Sequence, residues 1–153
     1  MSATSTTTAN LIQVVPFLGV TDMERSLRFY VDALGFTLKN KWEPEGRIRW
    51  CWLTRGGASI MLQEFVKDGH GGRRPDGVLG QGVNLCFQCE DAVALYHEFR
   101  SRDLDPSEPF VGNNMWVTSL RDPDGYRVEF ESVTDAPEEM TLAEFEKQKP
   151  NRG

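Results

Sequence analysis

Apolar and polar positions along the chain fall into strand-period and helix-period stretches that occur twice in the same order. Val14 to Val20 predicts an apolar strand, followed by Thr21-Asp22 and then Ser26-Leu27-Arg28-Phe29-Tyr30 at helical spacing. Val83 to Cys89 predicts another, followed by Glu90-Asp91 and then Val93-Ala94-Leu95-Tyr96. In both places an Asp stands where a helix N-cap is expected, because a short carboxylate there accepts an otherwise orphaned backbone N–H. Aligning Asp22 on Asp91 registers the two copies without a gap, at an offset of about 69 residues.

The second halves match as well. Arg49 to Thr54 predicts a strand, Arg55-Gly56-Gly57 a turn, and Ser59 to Phe65 the returning strand. Met115 to Arg121 predicts a strand, Asp122-Pro123-Asp124-Gly125 a turn, and Tyr126 to Ser132 its return. The proline fixes one φ and the glycine permits a positive one, which is what a tight reversal needs. Each copy therefore reads strand, helix, then strands, and predicts an α+β sheet with helices on one face. Between the copies, the glycine-rich stretch 67–82 is expected to be a linker, or in a sharper version a lid, with His70 solvent-exposed. His97 falls on the surface of the second helix. The Ser/Thr-rich residues 1–10 predict a disordered tail without the basic start and apolar run of a signal peptide. Residues 134–153 form an acidic tail in which Thr141-Leu142-Ala143-Glu144 has the form of a capping box.

Composition removes whole classes of function. A net charge of −6 and a pI near 5.0 argue against nucleic acid, whose phosphates require a concentrated basic face. Arg73-Arg74 is too small a cluster to reverse that. No apolar run approaches the roughly 18 residues of a membrane span, so a cytoplasmic location is expected. Cys51, Cys86 and Cys89 are expected to be reduced thiols. Cys86-x-x-Cys89 invites a redox or zinc assignment, but residues three apart on a strand point to opposite faces.

Two motifs carry a resemblance to a known family. Val20-Thr21-Asp22-Met23-Glu24-Arg25-Ser26-Leu27-Arg28-Phe29-Tyr30, followed by Leu34-Gly35-Phe36, resembles the opening signature of the glyoxalase/bleomycin resistance protein/dioxygenase (vicinal-oxygen-chelate) superfamily. Arg121-Asp122-Pro123-Asp124-Gly125-Tyr126-Arg127-Val128-Glu129-Phe130 resembles its closing signature. The resemblance implies one domain over 11–133, made of two tandem βαβββ modules (11–66 and 83–133) that form a curled mixed sheet, a cup, with helices on its outer face. It also implies pairing of modules within or between chains, hence a homodimer.

In metal-dependent members the resemblance implies four ligands, one from each of four strands. Carried over, they fall on Val15, Met61, Asn84 and Glu129. Divalent Zn, Ni, Fe or Mn sites want imidazole, carboxylate or thiolate donors. Only Glu129 qualifies, so no metal cofactor is expected. Cys86 or Gln88 could build a displaced site, but nothing in the sequence demands one.

Strand alternation then gives a cup face of Val15, Phe17, Gly19, Met61, Gln63, Asn84, Cys86, Gln88, Arg127, Glu129 and Glu131. The opposite parity, with Val14, Leu18, Val20, Leu85, Phe87, Val128 and Phe130, is apolar and predicts the face that helices cover. Four tryptophans add aromatic surface, Trp50 and Trp52 sharing one face of their strand. Trp116, which precedes the closing hairpin, is the pocket candidate. The expected ligand contacts are Phe17, Met61, Gln63, Asn84, Cys86, Gln88, Trp116, Arg127 and Glu129. The function expected is metal-independent binding of an aromatic or cationic small molecule, of the bleomycin-resistance-like type. The alternative is a divergent lyase, isomerase or dioxygenase that uses Glu129 as a base or holds a rearranged metal. A partner-interaction module without a ligand is the third possibility.

Overall fold

The computed structural model describes residues 9–66 and 72–148. Most of the tail expected over 1–10, the start of the glycine-rich stretch with His70, and the last residues of the acidic tail lie outside the described residues.

The first module begins with β1 (Phe17–Val20), α1 (Met23–Leu27) and a π-helical turn, Arg28–Ala33. The Asp22 carboxylate accepts from the Arg25 N–H at 3.3 Å, as expected of an N-cap. The π turn, closed by the Leu34 N–H donating to the Phe29 carbonyl at 2.8 Å, carries the fully buried Tyr30. Gly35 ends it at φ 82°, a conformation in which a side chain would be strained. A Cβ there would also come within 2.8 Å of the Arg55 guanidinium. Three strands follow: β2 (Thr37–Trp42), β3 (Trp50–Arg55) and β4 (Ala58–Glu64).

The second module repeats this order with β5 (Asn84–Gln88), α2 (Ala92–Arg100), β6 (Phe110–Gly112), β7 (Met115–Arg121) and β8 (Arg127–Val133). Asp91 caps α2 through the Ala94 N–H at 2.9 Å. A terminal helix, α3 (Leu142–Gln148), starts with the reciprocal capping box: the Thr141 N–H donates to Glu144 at 3.0 Å and the Glu144 N–H returns to Thr141 Oγ1 at 3.2 Å.

Each module forms a four-stranded mixed sheet, in the orders β1-β4-β3-β2 and β5-β8-β7-β6. The parallel pairs share one register: Phe17 lies opposite Met61, and Cys86 opposite Glu129. Phe17 and Cys86 match at the 69-residue offset of Asp22 and Asp91, and Met61 and Glu129 at an offset of 68. The sheets are not closed on each other, so the α+β architecture of two βαβββ modules stands while the cup is divided between two open sheets.

The division follows from where the core sits. Leu18, Val20, Leu53, Ile60 and Leu62 of the first sheet join Leu85, Leu120, Val128 and Phe130 of the second in one buried cluster. The modules thus pack through their helix-covered faces, and their other faces look outward. Val14, expected on the buried face, is instead 88% exposed. The ladder between β1 and β4 starts only at Phe17, after Pro16, so the residues before it have no sheet to lie on.

Candidate functional site

The outward face of the first sheet follows directly from strand parity. Cross-strand register lines its side chains into two rows. One runs Trp42, Trp50, Gln63, Gly19 and the other Asn40, Trp52, Met61, Phe17. All eight are uncharged, and each row carries two aromatic side chains, Trp42 and Trp50 in one and Trp52 and Phe17 in the other. Gly19 supplies no ring itself, but the Phe65 ring fills its place: a Cβ on Gly19 would lie 2.2 Å from Phe65 Cε1. Phe17 and Trp42 are more than half exposed, which is unusual for such large apolar groups and marks the face as a contact surface.

One irregularity interrupts this neutral surface. The register between β2 and β3 shifts between Leu38 and Asn40, leaving Lys39 as an extra residue. Bulges re-aim a side chain that alternation would have sent elsewhere. Here the bulge keeps Asn40 on the outward face beside Lys39, whose Nζ lies 5.3 Å from the centre of the Trp52 ring. The Trp52 indole N–H is buried and has no hydrogen-bond partner among the described residues.

The outward face of the second sheet is polar. Its rows are Arg121, Arg127, Asn84; then Ser119, Glu129, Cys86; then Val117, Glu131, Gln88. Arg127 Nε donates to Glu129 Oε1 at 3.0 Å, so the candidate base is ion-paired. Gln88 donates to Glu131 through a short hydrogen bond. Burial, followed by the neighbouring Glu131 and Glu129 carboxylates, pushes the Cys86 thiol up to about 11. Ligand atoms of Cys86, Glu129 and Glu131 all lie within 4.8 Å of one another. Cys89 turns away, its Sγ 3.4 Å from the Glu131 carbonyl oxygen, and does not pair with Cys86.

The candidate residues therefore fall into two groups. Phe17, Met61 and Gln63 share the first face, and Asn84, Cys86, Gln88, Arg127 and Glu129 share the second. Within the chain no described pocket joins the two. A groove of about 1060 Å³ runs along the free edge of β5 between the modules. It takes in Asn84, Cys86 and Gln88, but also Leu85 and Phe87 from the opposite side of the strand and the Arg55–Ser59 hairpin.

Trp116 belongs to neither face. It pairs with Ser132, on the helix side of β8, and is 7% exposed against Ala92, Tyr96, Val111 and Leu142. Phe145 of α3 meets its ring edge-on at 5.4 Å. Its expected place in the pocket is thus corrected to a core position, because the β7–β8 register puts Ser119, not Trp116, beside Glu129. Sequence reasoning missed Lys39 and Phe65. Phe65 could have been found from its parity with Met61 and Gln63, and Lys39 from alternation after Leu38, whereas the bulge that keeps Asn40 beside it leaves no sequence signal.

The four positions that hold a metal in metal-dependent relatives offer a poor donor set. Val15 has no donor, Met61 and Asn84 are weak ones, and the Glu129 carboxylate is already engaged by Arg127. These residues do not fit a divalent ion of that type.

The model of the glyoxalase/bleomycin resistance protein/dioxygenase superfamily matches residues 10–130. No curated protein matches the sequence. Among solved structures, TioX from Micromonospora sp. ML1 superposes with a TM-score of 0.65 at 20% identity, covering 80% of this chain and 98% of its own. TnmS3, an antibiotic binding protein from Streptomyces sp. CB03234, gives a TM-score of 0.58 at 19% identity over 80% of this chain and 98% of its own. A lactoylglutathione lyase from Agrobacterium tumefaciens gives 0.60 at 20% identity over 80% and 95%. At such identities these likenesses report the fold, which binders and enzymes share. With the family model spanning both modules, the chain belongs to the glyoxalase/bleomycin resistance protein/dioxygenase superfamily.

Proposed function

We propose that the protein is a metal-independent small-molecule-binding protein of the bleomycin-resistance-like type. The observation that carries this is the pair of uncharged aromatic rows on the first sheet, an extended platform for a flat ligand. The similarity to TnmS3, described as an antibiotic binding protein, is consistent with it. The two outward faces are complementary, one neutral and aromatic, the other carrying the Glu129 and Glu131 carboxylates. A second copy would bring the first face of one chain against the second face of the other, enclosing an aromatic or cationic ligand between them. The exposed Phe17 and Trp42 favour such a homodimer.

The test is a tryptophan-fluorescence and thermal-shift titration of chelator-treated protein with proflavine as a flat cationic probe. Saturable binding without metal, weakened about tenfold or more by Trp50→Ala, is expected, since one lost stacking partner is worth about 1–2 kcal/mol. Turnover of a substrate only in the presence of metal would overturn the proposal.

One observation favours the enzyme alternative: the convergence of Cys86, Glu129 and Glu131. A divergent enzyme built on that cluster or on Glu129 as base would lose rate in Glu129→Gln, whereas a binder would lose only affinity.

A further inference from the structure

We propose that bulged Lys39 and the Trp52 indole N–H form a recognition point for an anionic oxygen, a phenolate or aryl carboxylate, borne by a flat aromatic ligand. This rests on the first sheet's outward face being a ligand platform, and it names the functional group that the platform selects.

Three features of the structure meet at this spot. First, the shift between Leu38 and Asn40 leaves Lys39 and Asn40 together on the side of Trp52. Alternation from the core-facing Leu38 already sends Lys39 to the side of Trp52, and the extra residue keeps Asn40 on that side as well. The same shift restores parity beyond it, so Trp42 still stands beside Trp50. Second, Lys39 is exposed and forms no ion pair among the described residues, whereas Lys41 two positions on is paired with Glu43 at 2.8 Å. Its ammonium lies over Trp52 instead. Third, the Trp52 N–H is a buried donor without an acceptor, a costly arrangement that a ligand oxygen would relieve.

Together they describe two donors, one charged and one neutral, on a surface that otherwise offers only rings and the Gln63, Asn40 and Met61 side chains. Lys39 ends a flexible four-carbon stem, so it swings off the ring as the ligand's ring stacks on the tryptophans. Its ammonium then meets the ligand's oxygen at the rim while the indole N–H donates from below. The same arrangement disfavours a cation at this spot, because Lys39 already occupies the negative face of Trp52. Positive charge on a ligand is left to the carboxylates of the second sheet.

The experiment compares three probes of one shape by calorimetric titration: 2-naphthoate, 2-naphthamide and 2-naphthylmethylammonium. Each is titrated into the full chain, Lys39→Met and Trp52→Phe. Lys39→Met keeps the apolar stem and removes the charge at an exposed position; unchanged melting temperatures confirm that both variants fold. In the unaltered protein, naphthoate is expected to bind about tenfold tighter than the amide, the usual margin of one charge-assisted hydrogen bond. Lys39→Met should abolish that margin and leave the amide's affinity unchanged, and Trp52→Phe should weaken both acceptor probes several-fold. Equal affinities for all three probes, or a naphthoate preference that survives Lys39→Met, would overturn the proposal and leave the platform intact. If no probe binds any form, the platform reading and this proposal fall together.

Discussion

The Tyr30 hydroxyl donates to Asp122 Oδ2 at 2.7 Å, joining the π-helical turn of the first module to the closing turn of the second. Both groups are almost completely buried. Burial raises the Asp122 pKa, only partly opposed by the hydrogen bonds from Tyr30, Tyr126 and Asp124. Burial and then Asp122 itself raise the Tyr30 hydroxyl well above its ordinary value. Nearby, the Tyr126 hydroxyl donates to the Gly19 carbonyl at 2.9 Å, and Asp124 accepts from the Thr21 N–H at 3.1 Å. The closing turn is therefore a clasp across the modules.

Removing the hydroxyl should loosen that clasp. Tyr30→Phe leaves a buried carboxylate short of one donor and should cost about 1–3 kcal/mol in urea denaturation. A raised folded-state pKa means that folding favours the protonated form of Asp122. Its contribution is present below the usual carboxylate range and is lost as pH rises through the folded value. Relative to Asp122→Asn, the unaltered protein should thus lose stability as pH rises from about 4. A difference between the two that is flat with pH would contradict this assignment.

Glu64 should show the opposite slope. Its carboxylate, 2% exposed, accepts from Arg47 at 2.8 Å, Arg49 at 2.7 Å and the Met23 N–H at 2.8 Å. Burial alone would raise its pKa, but these partners hold it below the usual range. Stability from a lowered carboxylate is present above its unfolded pKa and is lost as pH falls through the folded one. The cost of Glu64→Gln, about 1–3 kcal/mol at neutral pH, should therefore shrink in acid below about pH 4, as chemical-denaturation midpoints would register.

Gly19 and Phe65 should behave as a coupled pair. Gly19→Ala forces the Phe65 ring off the sheet and should lower the melting temperature. Phe65→Ala makes room for the new methyl, so the double variant should be more stable than the sum of the two single effects predicts. A double-mutant cycle with no coupling would show that the ring yields without cost.

Trp116 and Trp50 should separate cleanly. Trp116→Ala empties a packed site beneath α3 and should cost about 3–5 kcal/mol while leaving ligand affinity per folded molecule unchanged. Trp50→Ala should do the reverse. A loss of affinity in folded Trp116→Ala would restore that residue to the binding surface.

The parts legible in the sequence were those set by local rules. Asp22 and Asp91 announced two helices because a cap is a short-range hydrogen bond, and period-two alternation assigned Leu18, Leu85, Val128 and Phe130 to the core. The same parity assigned Phe17, Met61, Gln63 and Glu129 to the outward faces. Trp116 was misplaced because nearness in the chain to Glu129 says nothing of which face a strand residue takes; the hairpin register decides that. Trp42 is hidden for a related reason, since alternation counted from Leu38 would turn it toward the core and only the bulge brings it beside Trp50. That the two faces look away from one core was also beyond local rules, as it depends on long-range packing of Tyr30, Phe36, Phe87 and Phe130.

The buried cluster shared by the two sheets lies behind both outward faces. Duplication then leaves two surfaces, descended from one, that can drift in chemistry without threatening the scaffold between them. Phe17 and Cys86 occupy equivalent places, as do Met61 and Glu129, yet Phe17 and Met61 are apolar whereas Cys86 is a thiol and Glu129 a carboxylate. A lineage built this way can change the chemistry of either face by surface substitution alone.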